Sequence, residues 1–265
     1  MNTQTPSNFV QGFFYLVAGY RHIFHPKIRH YVWIPLLINF FMFGGLFCLG
    51  FYFIWQKLSF LSLGKLPHFL QWASPLVSII KFFIMTTIFT ILLAVFAIVA
   101  SFCANFIGAP FNGFLSEAYS HVLTGVKLPN RPSMQVVGNI MVRESLKILY
   151  CIPRALLIGI LAAILYFLPP LNLLIPVLFY WFSAIMMNIQ YLDYPADNHH
   201  VTFRQLLKLV KTQRAICLGF GFAIAIASSI PVPNFFVMPA AVLGATKLWH
   251  DKFINHNQKD RHSPS

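Results

Sequence analysis

Acidic residues are almost missing from this chain. Six Asp and Glu stand among 265 residues, and charged residues of all kinds reach only 9%. Soluble domains carry about 25% charged residues, so a shortage of this size excludes an ordinary water-facing surface. Hydrophobic residues make up 58% of the chain and its mean hydropathy is +0.69. That is the composition of an integral membrane protein. The formal net charge is +13, from 19 Lys and Arg. A basic balance ordinarily points to nucleic acid. Here the cations lie between apolar runs, so membrane lipids are the expected partners and nucleic acid is not.

Cysteine is scarce as well. Cys48, Cys103, Cys151 and Cys217 are far apart and form no CxxC pair, which argues against a disulfide framework or a metal site; they read as small hydrophobes. No Ser-His-Asp spacing, HExxH or phosphate-binding loop is present. His22-x-x-His25 and His199-His200 are pairs without a third ligand at metal-site spacing. The expectation is therefore no catalytic residue, no metal and no cofactor. The first apolar stretch lacks a basic leader and a small-residue cleavage site, so no cleavable signal peptide is expected.

Long apolar runs are what the chain has instead. Residues 31–55 carry no charge over 25 positions. At about 1.5 Å per residue they cross a hydrocarbon core of about 30 Å. Residues 82–107 form a second such run, leading into "GAPFNGFLSE", where Pro110 and two glycines predict a break or bend. Two further regions, 155–192 and 215–246, are uncharged but interrupted. Pro169-Pro170 leaves the first a leading arm of 14 residues, and "PVPN" at 231–234 leaves the second one of 16. Both interruptions read Pro-x-x-Asn, a weak internal repeat of two helical hairpins. Each hairpin either spans with a tight turn or re-enters partway, and the short arms favour the partial form.

The predicted fold is thus all-α: a single membrane domain over 1–265 with two long transmembrane helices and two Pro-broken, hemi-penetrating hairpins. Residues 9–25 are predicted to be an interfacial helix, with Phe9, Phe13, Leu16 and Tyr20 at helical spacing. Thr202 and Gln205 form a capping-box pattern ahead of Arg204, Lys208 and Lys211, a basic face directed at solvent or at headgroups. Sixteen of the Lys and Arg fall on the segments that this topology puts on one side, and three on the loop 56–81. The positive-inside rule then predicts both termini in the cytoplasm.

One cationic cluster is concentrated at the mouth of the first run, in "RHIFHPKIRHYVWIPLL" at 21–37. Pro26 suits the first position of a helix. The N–H groups of Lys27, Ile28 and Arg29 would then be unpaired and point outward. A helix start with two added cations is an anion site. Alternatively, Lys27 and Arg29 snorkel to the headgroups and only set topology. Spacing leaves both readings open.

The blocks "HPKIRHYVWIPLLIN", "ANFIGAPFNGFLSE", "YCIPRALL", "IQYLDYPADNHH" and "MPAAVLGATKLW" follow in order through about residues 9–252. Together they resemble the CysZ sulfate permease family. The resemblance implies a multi-pass protein of the bacterial inner membrane that takes up sulfate for cysteine synthesis. It further implies two long transmembrane helices, two hemi-penetrating hairpins, and dimers or larger homo-oligomers. It places the sulfate-binding turn on Pro26 to His30, with Arg29, Lys27, Ile28 and His30 as binding residues. Lys27 stands where relatives often have Gly, and His30 where they often have Arg. A histidine there adds a partner whose charge can change with pH.

Four other positions complete the candidates with Asn112. Asn112 and Gly113 lie at the predicted break, where backbone either lines a path or packs at a bend. Asp193 and Asp197 stand at the base of the first hairpin. They either pair with Arg154 or Arg143 or carry protons for coupled uptake; pairing is favoured, since no acid lies mid-membrane. Two other functions stay open: a scaffold or accessory subunit of another transporter, and, more weakly, a lipid-modifying enzyme. The charge rule places Arg29 at the cytoplasmic mouth although uptake begins outside. The turn is then an exit site, or subunits of opposite orientation combine.

Overall fold

The computed structural model describes residues 8–60, 74–126 and 133–254. Among them the chain is helical, with no strand. The order is α1 (Asn8–His22), α2 (Arg29–Phe60), α3 (Ser74–Thr124), α4 (Ser133–Tyr166), a 3-10 turn (Leu171–Leu173), α5 (Leu174–Asn198), α6 (Phe203–Thr212), α7 (Arg214–Ser228), α8 (Pro231–Trp249) and a π-helical turn (His250–Ile254). Three stretches of the described residues are long and apolar enough to cross a bilayer: Ser78–Phe96, Val137–Tyr166 and Leu171–Asn198. The first span expected from sequence, 31–55, lies wholly within α2.

The chain divides into two compact units, Ile34–Gly108 and the remainder. In the smaller one, α2 and α3 meet through Phe51 and Phe89, whose rings stand edge to face at 6.4 Å. Large apolar side chains face outward along it, among them Phe40, Phe41, Phe82 and Phe83. A water-soluble protein does not expose a continuous apolar surface of this kind.

The larger unit is built around α8. Ala240, Ala241, Val242, Leu243, Ala245 and Leu248 are completely buried, with α1, α5 and α7 packed around them. Glycine allows the close approach. A Cβ on Gly19 would strike the backbone carbonyl of Ala240, and one on Gly219 the carbonyl of Phe9. Small residues at such contacts let helix backbones pack closely without a large side chain between them. The face of α1 that is buried is Gly12, Leu16 and Gly19; of the four residues at helical spacing Leu16 is part of it, Phe13 and Tyr20 are half-buried and Phe9 is exposed. Phe14 and Val17 point outward.

Two predictions about breaks are corrected. α3 runs unbroken through Pro110, so "GAPFNG" is helical and not a break. The leading arm of the first hairpin is no 14-residue piece either. It is the apolar end of α4, a helix of 34 residues. The second hairpin keeps a short arm, α7, of 15 residues. α6 begins with the predicted capping box: the Thr202 hydroxyl accepts from the Gln205 N–H, and the Gln205 side chain accepts from the Thr202 N–H. α6 and α7 then meet at 105°.

Candidate functional site

The turn expected to bind an anion joins α1 to α2. Ile28 is fully buried beside the buried Ile23 and Val32, while Lys27, Arg29 and His30 are exposed. The His30 ring lies 4.0 Å from that of Tyr31. The backbone differs from the prediction. The N–H groups of Ile28 and Arg29 both donate to His25 O at 3.0 Å, and the Lys27 N–H donates to His25 Nδ1 at 3.3 Å. All three groups expected to be free are engaged by His25. The physical reason is that Pro26 starts a separate turn, one step before α2 begins at Arg29.

The turn rests against the tip of the second hairpin. The Tyr20 hydroxyl donates to Pro233 O at 2.8 Å. The Phe236 ring stands 6.3 Å from Phe24 and 6.2 Å, edge-on, from Trp33. At the opposite end of α8, Lys252 Nζ donates to Gln11 at 3.3 Å. α1 therefore runs antiparallel along α8, and carries the chain from the charged end of that helix to its proline-rich end. His22 Nδ1 donates to Ala18 O at 2.7 Å.

A second cluster ties α4 to α5. Arg143 grips Asp193 through Nε, at 3.0 and 3.2 Å from the two carboxylate oxygens, and through Nη2. Its Nη1 reaches Asp197 at 3.3 Å and donates to Val201 O at 2.7 Å. Lys147 pairs with Glu144 at 2.5 Å and with Asp193 at 3.4 Å. The Tyr194 hydroxyl donates to Glu144 at 3.1 Å. Three carboxylates and two cations thus share a largely buried space, and an unpaired charge there would be costly. The α5 terminus is shaped to deliver Val201 O. His200, at φ 58°, turns the chain, while the Val201 N–H returns to Ala196 O at 2.9 Å.

The remaining predicted positions separate. Arg143 is the partner of Asp193 and Asp197. Arg154 is exposed, stacks over the Tyr150 ring at 3.5 Å and bonds Tyr150 O. Asn112 is buried and donates to Tyr194 at 3.4 Å; Gly113 O accepts from Asn198 at 3.3 Å. Both belong to the α3–α5 contact. Sequence reasoning missed Glu144, Lys147 and Tyr194. It also missed a polar seam between α3 and α8, where Ser116 meets Thr246 at 2.8 Å and Ser120 meets His250 Nε2 at 2.6 Å. Burial holds the His250 pKa below the usual histidine range; Asp251 opposes this and Lys247 adds to it. The only signal for the seam was serine, threonine and histidine recurring four apart on two apolar helices.

Comparison with known proteins supplies the context. Residues 15–239 match the family described as sulfate transporter CysZ/etoposide-induced protein 2.4. A relative from Pectobacterium atrosepticum, named sulfate transporter CysZ, is 36% identical over 261 residues. The alignment covers 96% of this chain and 90% of the relative.

Proposed function

The chain belongs to the CysZ sulfate transporter family, and from that premise we propose that it is a permease that moves sulfate across the membrane. The observation that carries this reading is the extent of the match, which takes in nearly all of the chain and of a relative bearing that name. The protein acts in the bacterial inner membrane as one membrane domain, and its sulfate feeds cysteine synthesis. Both termini face the cytoplasm, where most of the Lys and Arg then lie. The exposed phenylalanines of α2 and α3 meet lipid and, in a homo-oligomer, a second copy.

Sulfate is held at the turn by side chains. Arg29 supplies a planar fork that can give two bonds to one tetrahedral anion, Lys27 supplies a second charge, and His30 supplies a third donor. What supports this is their joint exposure on a turn whose position Ile28 fixes from below. Ile28 is an anchor in this reading, since its side chain is buried and its N–H is engaged. The buried Arg143 cluster holds the two arms and base of the first hairpin together and takes no direct part in binding. Both hairpins enter the membrane partway in this reading, which arm length supports for the second. The 15 residues of α7 reach about 22 Å, less than the hydrocarbon thickness.

Purified protein in liposomes tests the function directly. Labelled sulfate should enter protein-containing vesicles faster than protein-free ones, without nucleotide. Folded protein that passes no sulfate would leave the accessory-subunit reading in its place.

A further inference from the structure

Among the described helices α6 is the most strongly amphipathic. Leu206 is fully buried, and Phe203, Leu207, Leu209 and Val210 are half-buried on the same side. Arg204, Lys208 and Lys211 are exposed on the other, and Arg214 is exposed at the start of α7. No acid lies between Asp197 and Asp251 in the chain. No ion pair joins any of the four cations to an acid among the described residues. Arg154 adds to the patch: it stacks over Tyr150, whose ring meets Phe203 edge-on at 5.8 Å.

The placement is as informative as the charge. α6 follows the end of a candidate span, Leu171–Asn198, and meets the apolar α7 at 105°. A basic amphipathic helix turned across an inserted one, at the level where a span ends, lies in the plane of the membrane surface. Its half-buried leucines then reach toward the acyl chains, and its cations stand at headgroup level.

The geometry points to α6, with Arg154 and Arg214, as a binding surface for the phosphodiester headgroups of anionic phospholipid. The bound lipids tether the base of the second hairpin to one leaflet. From Arg204 to Lys211 the cations extend over about 10 Å at helical rise, and Arg214 follows beyond the 105° bend. None is buried, and no pair of them is gathered around one point by a hydrogen-bonded frame. A row of headgroups fits this arrangement, whereas one tetrahedral ion does not.

The test uses the full chain in phosphatidylcholine bilayers containing spin-labelled phosphatidylglycerol. Electron paramagnetic resonance reads the association of the anionic lipid relative to phosphatidylcholine, and no transport is involved. The wild type should prefer phosphatidylglycerol several-fold. The preference should shrink toward parity at about 1 M salt, where the screening length is about 3 Å. Arg204, Lys208 and Lys211 are three of the five cations of the patch. R204Q/K208Q/K211Q should therefore lose most of the preference. The salt arm needs no variant, so it reads even if the triple substitution disturbs folding. Absence of any preference in the wild type would overturn the proposal, as would a preference that survives both the salt and the substitutions. Displacement of the labelled lipid by inorganic phosphate would overturn it too, since that marks a site for a soluble anion.

Discussion

Arg29 and Asp193 are both charged residues in a chain that has few, and the structure treats them in opposite ways. Arg29 is exposed. With the backbone N–H groups around it engaged by His25, an anion at the turn depends on the side chains. Arg29→Ala should then weaken sulfate binding about ten- to a hundred-fold, the loss of one charge-assisted contact of about 1.5–3 kcal/mol. Arg29→Lys should recover only part, because the fork is gone. Calorimetry in detergent reads both; equal affinity in wild type and Arg29→Ala would leave Arg29 a topological role alone. Asp193 is 2% exposed and shared by Arg143 and Lys147. Asp193→Ala leaves two buried cations short of a carboxylate and should cost about 3–5 kcal/mol, read as a lowered unfolding midpoint. An unchanged midpoint would mean that the cluster does not hold α4 to α5. Asp193 and Asp197 were legible because acids are so rare in the sequence. Glu144 and Lys147 were not, because they lie three apart on one helix and look like a solvated face until α5 is placed over them.

The helices carry their own lessons. α1 was legible as a helix, but its buried face was not. Periodicity weighs bulky apolar residues, whereas this contact is made by Gly12 and Gly19 against α7 and α8. Gly19→Ala should therefore destabilise the larger unit by about 1–3 kcal/mol, since the group it would strike is backbone and cannot step aside. Gly159→Ala is the matched control. Nothing lies near a Cβ there, so the change should be neutral or stabilising by up to about 1 kcal/mol. If thermal unfolding shows the same shift for both, the interlock is not tight. The C-terminal end of α8 should show itself through pH. His250 has a folded pKa below its unfolded value, so its contribution to stability is present above about pH 6.5. That contribution is lost as pH falls through the folded pKa, because the unfolded chain binds the proton first. Stability should drop on acidification from about pH 7.5. His250→Gln, which can still bond Ser120, should flatten that part of the slope; an unaltered slope would assign it to another group.

On the scale of the whole molecule, composition alone was enough to establish a helical membrane protein, but span lengths were not legible. The sequence shows an uncharged arm of 14 residues before Pro169, yet the helix is 34 residues long. Arg154, the charge that ends that run, does not end the helix: it lies back along α4 over the Tyr150 ring and bonds Tyr150 O. Further back along the same helix, Arg143, Glu144 and Lys147 satisfy one another and Asp193 inside the fold. Arm length therefore no longer argues for partial entry of the first hairpin, while it still does for the second, whose α7 has 15 residues. Partial entry of both predicts that cysteines placed at Pro170 and Val232, in a cysteine-free background, stay unlabelled by a membrane-impermeant reagent from the periplasmic side. Both positions are exposed in the protein, Val232 at 80%, so protection there can come only from lipid or from a second copy. Detergent solubilisation under monomeric conditions should then release both to the same reagent. Labelling of Pro170 but not Val232 in intact membranes would make the first hairpin a full crossing, as the length of α4 permits. Labelling of both would make six spanning segments, and either result would still leave the two termini on the same side.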